Sequence, residues 1–232
     1  MAYNFDTIAR TYDRLNRVMT LGLDRRWRKC AVRGLHGNVL DVACGTGDMV
    51  VELAKRGCNV TGVDISEEML NIARQKTESS TSHLWLRKVA DLSSPLTFHL
   101  GDAEALPFAD GEFDAVTCAF GVRNFVHLEQ GLSEMLRVLK PGGTMVILEL
   151  STPDSRLVRP FYNLYTKRII PWLGQRIAGN RDAYTYLPES IARFPKGDAF
   201  LEIVHHSSLN THHCKERKLT FGVCRLYIVD KS

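Results

Sequence analysis

Short apolar runs recur along the chain near residues 38–43, 59–64, 96–101, 113–120 and 144–150, each followed by turn chemistry or a helical pattern. This alternation predicts an α/β fold with a parallel sheet, right-handed crossovers and a ligand site at the carboxyl ends of the strands. In GVDIS followed by EEMLNIARQK, Ser66 is placed to cap a helix whose first turn carries Glu67 and Glu68. LKPGG at 139–143 reads as the end of a helix and a turn into the strand TMVILEL. CKERKLTF and GVCRLYIV meet at Gly222, too close for a helical crossover, so these two strands are expected to be antiparallel. Residues 1–36 and 151–195 break the alternation and are expected to pack over the strand ends as helical lids. The chain 1–232 then reads as one domain: N-terminal lid 1–36, ligand-binding core 37–150, lid insertion 151–195, and a final helix with a β-hairpin over 196–232.

Composition narrows the class without naming it. With 232 residues, 44% of them hydrophobic, the chain is long enough for one domain with a full core. A net charge of +4 is too mild to argue for nucleic acid as a partner. Six cysteines without a CxxC pair read as reduced core residues of a cytoplasmic protein. The N-terminus carries charges where a signal peptide needs an apolar stretch, and no run approaches the roughly 18 apolar residues of a membrane span.

The candidate chemistry begins at VLDVACGTGD, residues 39–48, a buried-strand run ending in a glycine-rich turn. Gly45 and Gly47 permit close backbone approach, and Asp64, about 20 residues on, is placed to bind ribose hydroxyls. Val50 stands where a dinucleotide fingerprint has its third glycine, and no Gly-Lys-Ser/Thr follows to cradle a triphosphate. The implied ligand has a ribose and no pyrophosphate.

Five blocks in order, VLDVACGTGD, GVDIS, GDAEALPF, FDAVTCAFG and LKPGGTMVILE, resemble those of S-adenosylmethionine-dependent methyltransferases. The resemblance implies a Rossmann-like class I fold, mainly parallel with an antiparallel strand near its end, and S-adenosyl-L-methionine as cofactor. FDTIARTYDRLNRVMTLGLDRRWRK, FGVRN and RDAYTYLPESIARFP look more narrowly like the ubiquinone/menaquinone biosynthesis C-methyltransferase family. That likeness implies C-methylation of a prenylated quinol, with a homodimer left open. By the resemblance, Gly45, Thr46 and Gly47 line the methionine end, Asp64 holds the ribose, Asp102 and the backbone of Ala103 read the adenine edge, and Ile65 and Ala119 also contact the cofactor. Asp102 also reads as a plain turn residue. Asp41 either braces the glycine turn or reaches the cofactor's amine. Cys44 reads as packing, since no motif sets a base beside it.

Methyl transfer to a ring carbon needs the acceptor's phenol to lose a proton, and a phenol near pKa 10 is mostly protonated at neutral pH. Arg123 is the first candidate to hold a phenolate or orient a water, since guanidinium stays charged; its other reading is an ion pair with Asp13 or another acid of the N-terminal lid. Tyr12, Asp13 and Asn16 share a helical face by spacing, and Asp13 is either a proton acceptor or a solvated acid. Asn124 joins Asn16, Tyr184 and Tyr186 as candidate acceptor contacts, with Glu189 beside them; aromatic residues on a helix also pack cores. His205, His206, His212, His213 and Cys214 lack common zinc spacing, and no metal is expected.

Residues 156–181 mix arginine, lysine and aromatic residues with no acid, which suits either peripheral contact at the inner face of a membrane or a solvated lid. The place of an Asn/Asp-Pro-Pro-aromatic motif of base methylation holds AFGVRN instead, so nucleic acid is not expected as the substrate. A noncatalytic cofactor-binding module is the rival of another class. Three features depart from the family pattern: Ala119 where a serine is common, a long connection at 79–95, and HHSSLN near the end of the last helix.

Overall fold

Seven strands form one sheet in the computed structural model, which describes residues 9–81, 96–170, 182–207 and 211–232. They are β1 (Asn38–Val42), β2 (Asn59–Asp64), β3 (Leu96–Leu100), β4 (Phe113–Ala119), β5 (Leu139–Leu150), β6 (Thr211–Leu219) and β7 (Cys224–Lys231). Their spatial order is β3-β2-β1-β4-β5-β7-β6. The first five pair in parallel, while β7 runs antiparallel to both β5 and β6, as the hairpin at Gly222 predicts. One expectation shifts: LKPGG does not precede the strand but lies inside it, because Leu139 pairs with Phe113 before a register shift lets Thr144 pair with Ala115.

The helices are α1 (Ala9–Met19), α2 (Asp24–Ala31), α3 (Asp48–Ala54), α4 (Glu67–Thr81), α5 (Leu128–Val138), α6 (Arg159–Leu164), α7 (Asp182–Arg193) and α8 (Asp198–Ser207), with a π-helical turn over Tyr165–Ile169. Strand side chains alternate between two cores, as a pleated sheet covered on both faces requires. Leu40, Val116, Met145 and Ile147 pack with Leu132, Met135 and Phe200 of α5 and α8. Val39, Ala115, Val146 and Leu148 face the other way, onto Trp27, Met49, Val50, Leu53 and Leu70. Ser66 caps α4 through the Met69 amide at 3.1 Å.

The two halves of the N-terminal segment differ. α1 lies over the strand ends, whereas α2 is part of the core: Trp27 is buried and donates to Thr220 at 2.8 Å, and Arg28 forms a buried ion pair with Asp24 at 2.7 Å. No disulfide joins any of the six cysteines, and Cys44, Cys58, Cys118 and Cys224 are buried. Among the described residues no helix is long and apolar enough to cross a membrane. Residues 82–95, most of the long connection, and 208–210 of HHSSLN lie outside the described residues.

Candidate active site

The sheet reverses its winding between β1 and β4, and there the strand ends part into a cleft. Both central strands lead into non-glycine residues in the left-handed region, Ala43 at φ 52° and Phe120 at φ 63°, and both line the cleft. A Cβ on Gly121 would come within 2.7 Å of both the Ala43 Cβ and the Cys118 Sγ, so only glycine lets the two strand ends approach this closely. Gly47 starts α3 at φ 79°, and a Cβ there would press on Ala73 of α4 at 3.1 Å.

Three carboxylates shape the far wall. Asp64 accepts the Gly45 amide at 2.8 Å through one oxygen and the Ser66 amide at 2.9 Å through the other. These bonds fix its plane toward the cleft and do not exhaust a carboxylate, which accepts about four hydrogen bonds. Asp102 accepts the Glu104 amide at 2.9 Å, so it does serve its own turn while lining the cleft. Glu104 accepts the Val126 and His127 amides at 2.6 and 2.9 Å and pins the loop after β3 to the far side of the cleft. Burial raises its pKa, but the His127 and Val126 bonds outweigh that and hold it below the usual carboxylate range.

Of the residues picked out by sequence, Tyr12, Gly45, Asp64 and Ile65 line this cleft together with Asp102, Ala103, Ala119 and Asn124. Others stand apart. Thr46 turns its hydroxyl to Asp13, and Lys76 of α4 bonds Thr46 at 3.1 Å, Asp13 at 2.6 Å and Asp48 at 2.7 Å. Asp13 thereby ties the N-terminal lid to the glycine turn and to α4. Asp41 lies buried beneath the cleft, where Thr117 donates to Oδ1 at 2.6 Å and Oδ2 has no hydrogen-bond partner among the described residues. Burial pushes its carboxyl up to about 7, against the Thr117 bond and the Arg28 charge. Cys44 is likewise buried and its thiol raised well above its ordinary value, which suits packing and not nucleophilic attack.

The ion pair that the described residues show for Arg123 is with Glu149 of β5, on the sheet and not on the N-terminal lid. Its Nη1 bonds Glu149 of β5 at 2.7 Å and the Phe120 carbonyl at 2.6 Å, with both ionic partners buried. Burial raises the Glu149 pKa while the Arg123 charge opposes it. Sequence reasoning missed Glu149, although one acid in the apolar run TMVILEL was the available signal. Tyr12 feels Arg123 too: burial pushes its phenol up, and the Arg123 charge and a hydrogen bond with Asn16 oppose that rise.

Asn16, one helical turn beyond Tyr12, lines a second cavity of about 250 Å³ whose walls are almost wholly apolar. Leu23, Trp27, Leu150, Tyr162, Ile170, Leu187 and Ile191 enclose it, so three segments distant in sequence meet there. Tyr184 and Tyr186 belong to the helix carrying Leu187, but their side chains lie outside the described residues, as do 171–181 of the basic aromatic segment.

The sequence model of the ubiE/COQ5 methyltransferase family matches residues 2–231. A demethylmenaquinone methyltransferase of Bacteroides fragilis is 42% identical over 98% of this chain and 90% of its own length. A ubiquinone/menaquinone biosynthesis C-methyltransferase, UbiE, of Geobacter sulfurreducens is also 42% identical, over 98% of this chain and 87% of its own length. Solved SAM-dependent methyltransferases from Thermotoga maritima and Aquifex aeolicus share the fold at TM-scores of 0.63 and 0.62. Their identities are 19% and 16%; the matches cover 98% and 95% of this chain, and 100% and 98% of theirs.

Proposed function

The chain belongs to the ubiE/COQ5 methyltransferase family and is an S-adenosylmethionine-dependent methyltransferase, and from that premise we propose that it C-methylates a prenylated quinol of menaquinone or ubiquinone biosynthesis. The observation that carries the reading is the junction at α1, where Tyr12 lines a cleft carrying Asp64, Asp102 and Glu104 and Asn16 lines an apolar cavity. A redox ring bearing a prenyl tail needs that pairing of environments; a nucleobase acceptor does not.

The cleft fits the cofactor. Asp64 offers both oxygens to a ribose diol, Ile65 offers an apolar face, and Asp102 with the Ala103 backbone suits an adenine edge. Asp41 lies beneath the cleft and not in its lining, so it supports the cleft floor through Thr117. When bound, S-adenosyl-L-methionine supplies a methyl group on an electrophilic sulfonium. The protein's own work is to align, to exclude water and to favour an ionised acceptor. Tyr12 and Asn16 hold the acceptor's hydroxyl at the junction, beside Asn124. Arg123, fixed from behind by Glu149, sets a positive potential there without moving a proton itself. A neighbouring cation that lowers the phenol by one pKa unit stabilises its phenolate by about 1.4 kcal/mol.

A quinol whose tail lives in lipid places the protein peripherally at the inner face of a membrane. Demethylmenaquinol is the favoured ring, since both relatives carry menaquinone in their names and only the Geobacter sulfurreducens one carries ubiquinone as well. Purified protein, S-adenosylmethionine labelled at the methyl group and chemically reduced acceptors test the reading. Label should appear on the ring carbon of the naphthoquinol, and its absence from both naphthoquinol and benzoquinol products would end the proposal.

A further inference from the structure

The mouth of the apolar cavity carries features that methyl transfer does not use. Three bulky side chains stand on its rim: Leu21 in the turn between α1 and α2, Phe161 in α6, and Phe221 in the turn between β6 and β7. Each lines the cavity yet is 72%, 75% and 78% exposed, respectively. Leu157 and Leu164, four residues before and three after Phe161, extend that face outward and are exposed too. Large apolar groups gathered around one opening mark an interaction surface.

The backbone supports this. Leu21 and Phe221 adopt φ of 52° and 57°, and each is followed by a glycine, at 73° and 87°. The left-handed region disfavours bulky side chains and suits glycine or asparagine. Two separate turns thus hold a large apolar side chain outward in an unfavourable conformation, while the exposure leaves little internal packing to offset it.

Charge identifies the partner. Exposed Arg156 and Arg159 flank Leu157 beside the mouth, whereas Arg17 and Arg25, near Leu21 in sequence, line a separate polar pocket with Asp48 and Glu52. The acids beside these segments are engaged: Asp24 with Arg28, and Asp154 with Lys196, Lys218 and Arg225. Apolar tips with exposed Arg156 and Arg159 beside them match the boundary between acyl chains and anionic headgroups. We propose that the cavity mouth docks on an anionic bilayer, with Leu21, Phe161 and Phe221 entering the acyl boundary and the arginines meeting lipid phosphates. A prenyl chain then passes from lipid into the cavity without crossing water. The identity of that chain rests on the quinol reading; the lipid contact does not.

Co-sedimentation of the full chain with vesicles of mixed phosphatidylglycerol and phosphatidylcholine, and of phosphatidylcholine alone, provides the test. Leu21→Asn combined with Phe221→Asn removes both tips and places at each a residue that tolerates the backbone, so folding is preserved. Wild-type protein should pellet with the anionic vesicles more than with the neutral ones. The tip variant should bind at least about tenfold more weakly, the order expected when two large side chains no longer leave water. Leu157→Ser with Leu164→Ser, neither lining the cavity, should slow methylation of a prenylated quinol held in vesicles. The same variant should leave methylation of a soluble quinol without a prenyl chain at the wild-type rate. Equal pelleting of wild type and tip variant, or no pelleting with anionic vesicles, overturns the proposal. So does a doubled mass in light scattering that the tip variant returns to monomer, which would give the face to a second copy. If the wild type methylates neither quinol, the quinol reading fails, and the vesicle result still decides the docking face.

Discussion

The cofactor cleft and the apolar cavity meet at one turn of α1, yet they are built by opposite means. The cleft is made from the ends of β1, β2 and β4 and the loop after β3, and its carboxylates are oriented by backbone amides at Gly45, Ser66 and Glu104. The cavity is made from side chains of residues 16–27, 150–170, 187–191 and 220–223, around no shared backbone motif. A ligand common to many enzymes is thus read by the scaffold, and the particular acceptor by what is draped over it.

The Arg123–Glu149 pair stands at the partition, between cleft residues Phe120 and Asn124 and cavity residue Leu150. A change there should damage both sites, which is the strongest way to break the comparison. Glu149→Ala removes the buried carboxylate that Arg123 pairs with, and is expected to cost about 3–5 kcal/mol of folding stability in urea titrations. Glu149→Gln, which keeps a hydrogen-bond acceptor, should cost less. An unchanged midpoint for the alanine variant would show that the pair does not hold the partition.

Asp41 tests the cleft floor alone through pH. Its native carboxyl holds a proton to about 7, against 3.8 as its ordinary value. Between those limits the native state binds the extra proton, so stability is present at low pH and lost as pH rises. The loss amounts to about 1.4 kcal/mol per unit and about 4 kcal/mol in all. Asp41→Asn, which keeps an acceptor for Thr117, should remove this dependence, so its stability relative to the wild type should climb from about pH 4 to about pH 7. Parallel curves for the two proteins would place the Asp41 titration elsewhere.

Asp64→Ala acts on the cleft wall. It deletes the ribose acceptor and leaves the Gly45 and Ser66 amides without it, so calorimetry should show S-adenosylmethionine binding weaker by roughly 10²-fold, given about 1.5–3 kcal/mol for a hydrogen bond to a charged group. The KM of a quinol acceptor, measured at saturating cofactor, should hold. A matching rise in that KM would mean the two sites are not separable.

This division also explains what could be read from the chain before its structure. Backbone geometry and a fixed spacing were enough to bring Gly45 and Asp64 to one cleft, Asp102 entered only through the family resemblance, and the β6–β7 hairpin was legible because Gly222 leaves no room for a crossover. Glu149 was not, since a strand position gives no hint of which arginine it will meet across the sheet. Helical spacing gives the face of Asp13 and leaves a proton acceptor and a solvated acid both open; its ion pair with Lys76 of α4 depends on packing that spacing does not reveal. LKPGG was taken as a stop because Pro and Gly punctuate most chains, whereas here the register shift absorbs them inside β5. The cavity was least legible of all, as its walls come from segments up to about two hundred residues apart with no pattern in common.

The mildest change separates the sites on the cavity side. Leu187 is buried against the cavity, on the face of α7 turned to Asn16 and Tyr162. Leu187→Phe adds volume into open space, so the usual overpacking penalty of about 1–3 kcal/mol is largely avoided, and the ring occupies room a prenyl chain would use. The KM for a long-chain quinol should rise about tenfold, equivalent to about 1.4 kcal/mol, with cofactor affinity unchanged. The same variant should treat a quinol lacking the chain as the wild type does, because that acceptor stops at the Tyr12–Asn16 junction. Dependence on chain length is the deciding readout. A loss equal for both acceptors would mean that Leu187 shapes the ring site, and that the cavity is not where the tail goes.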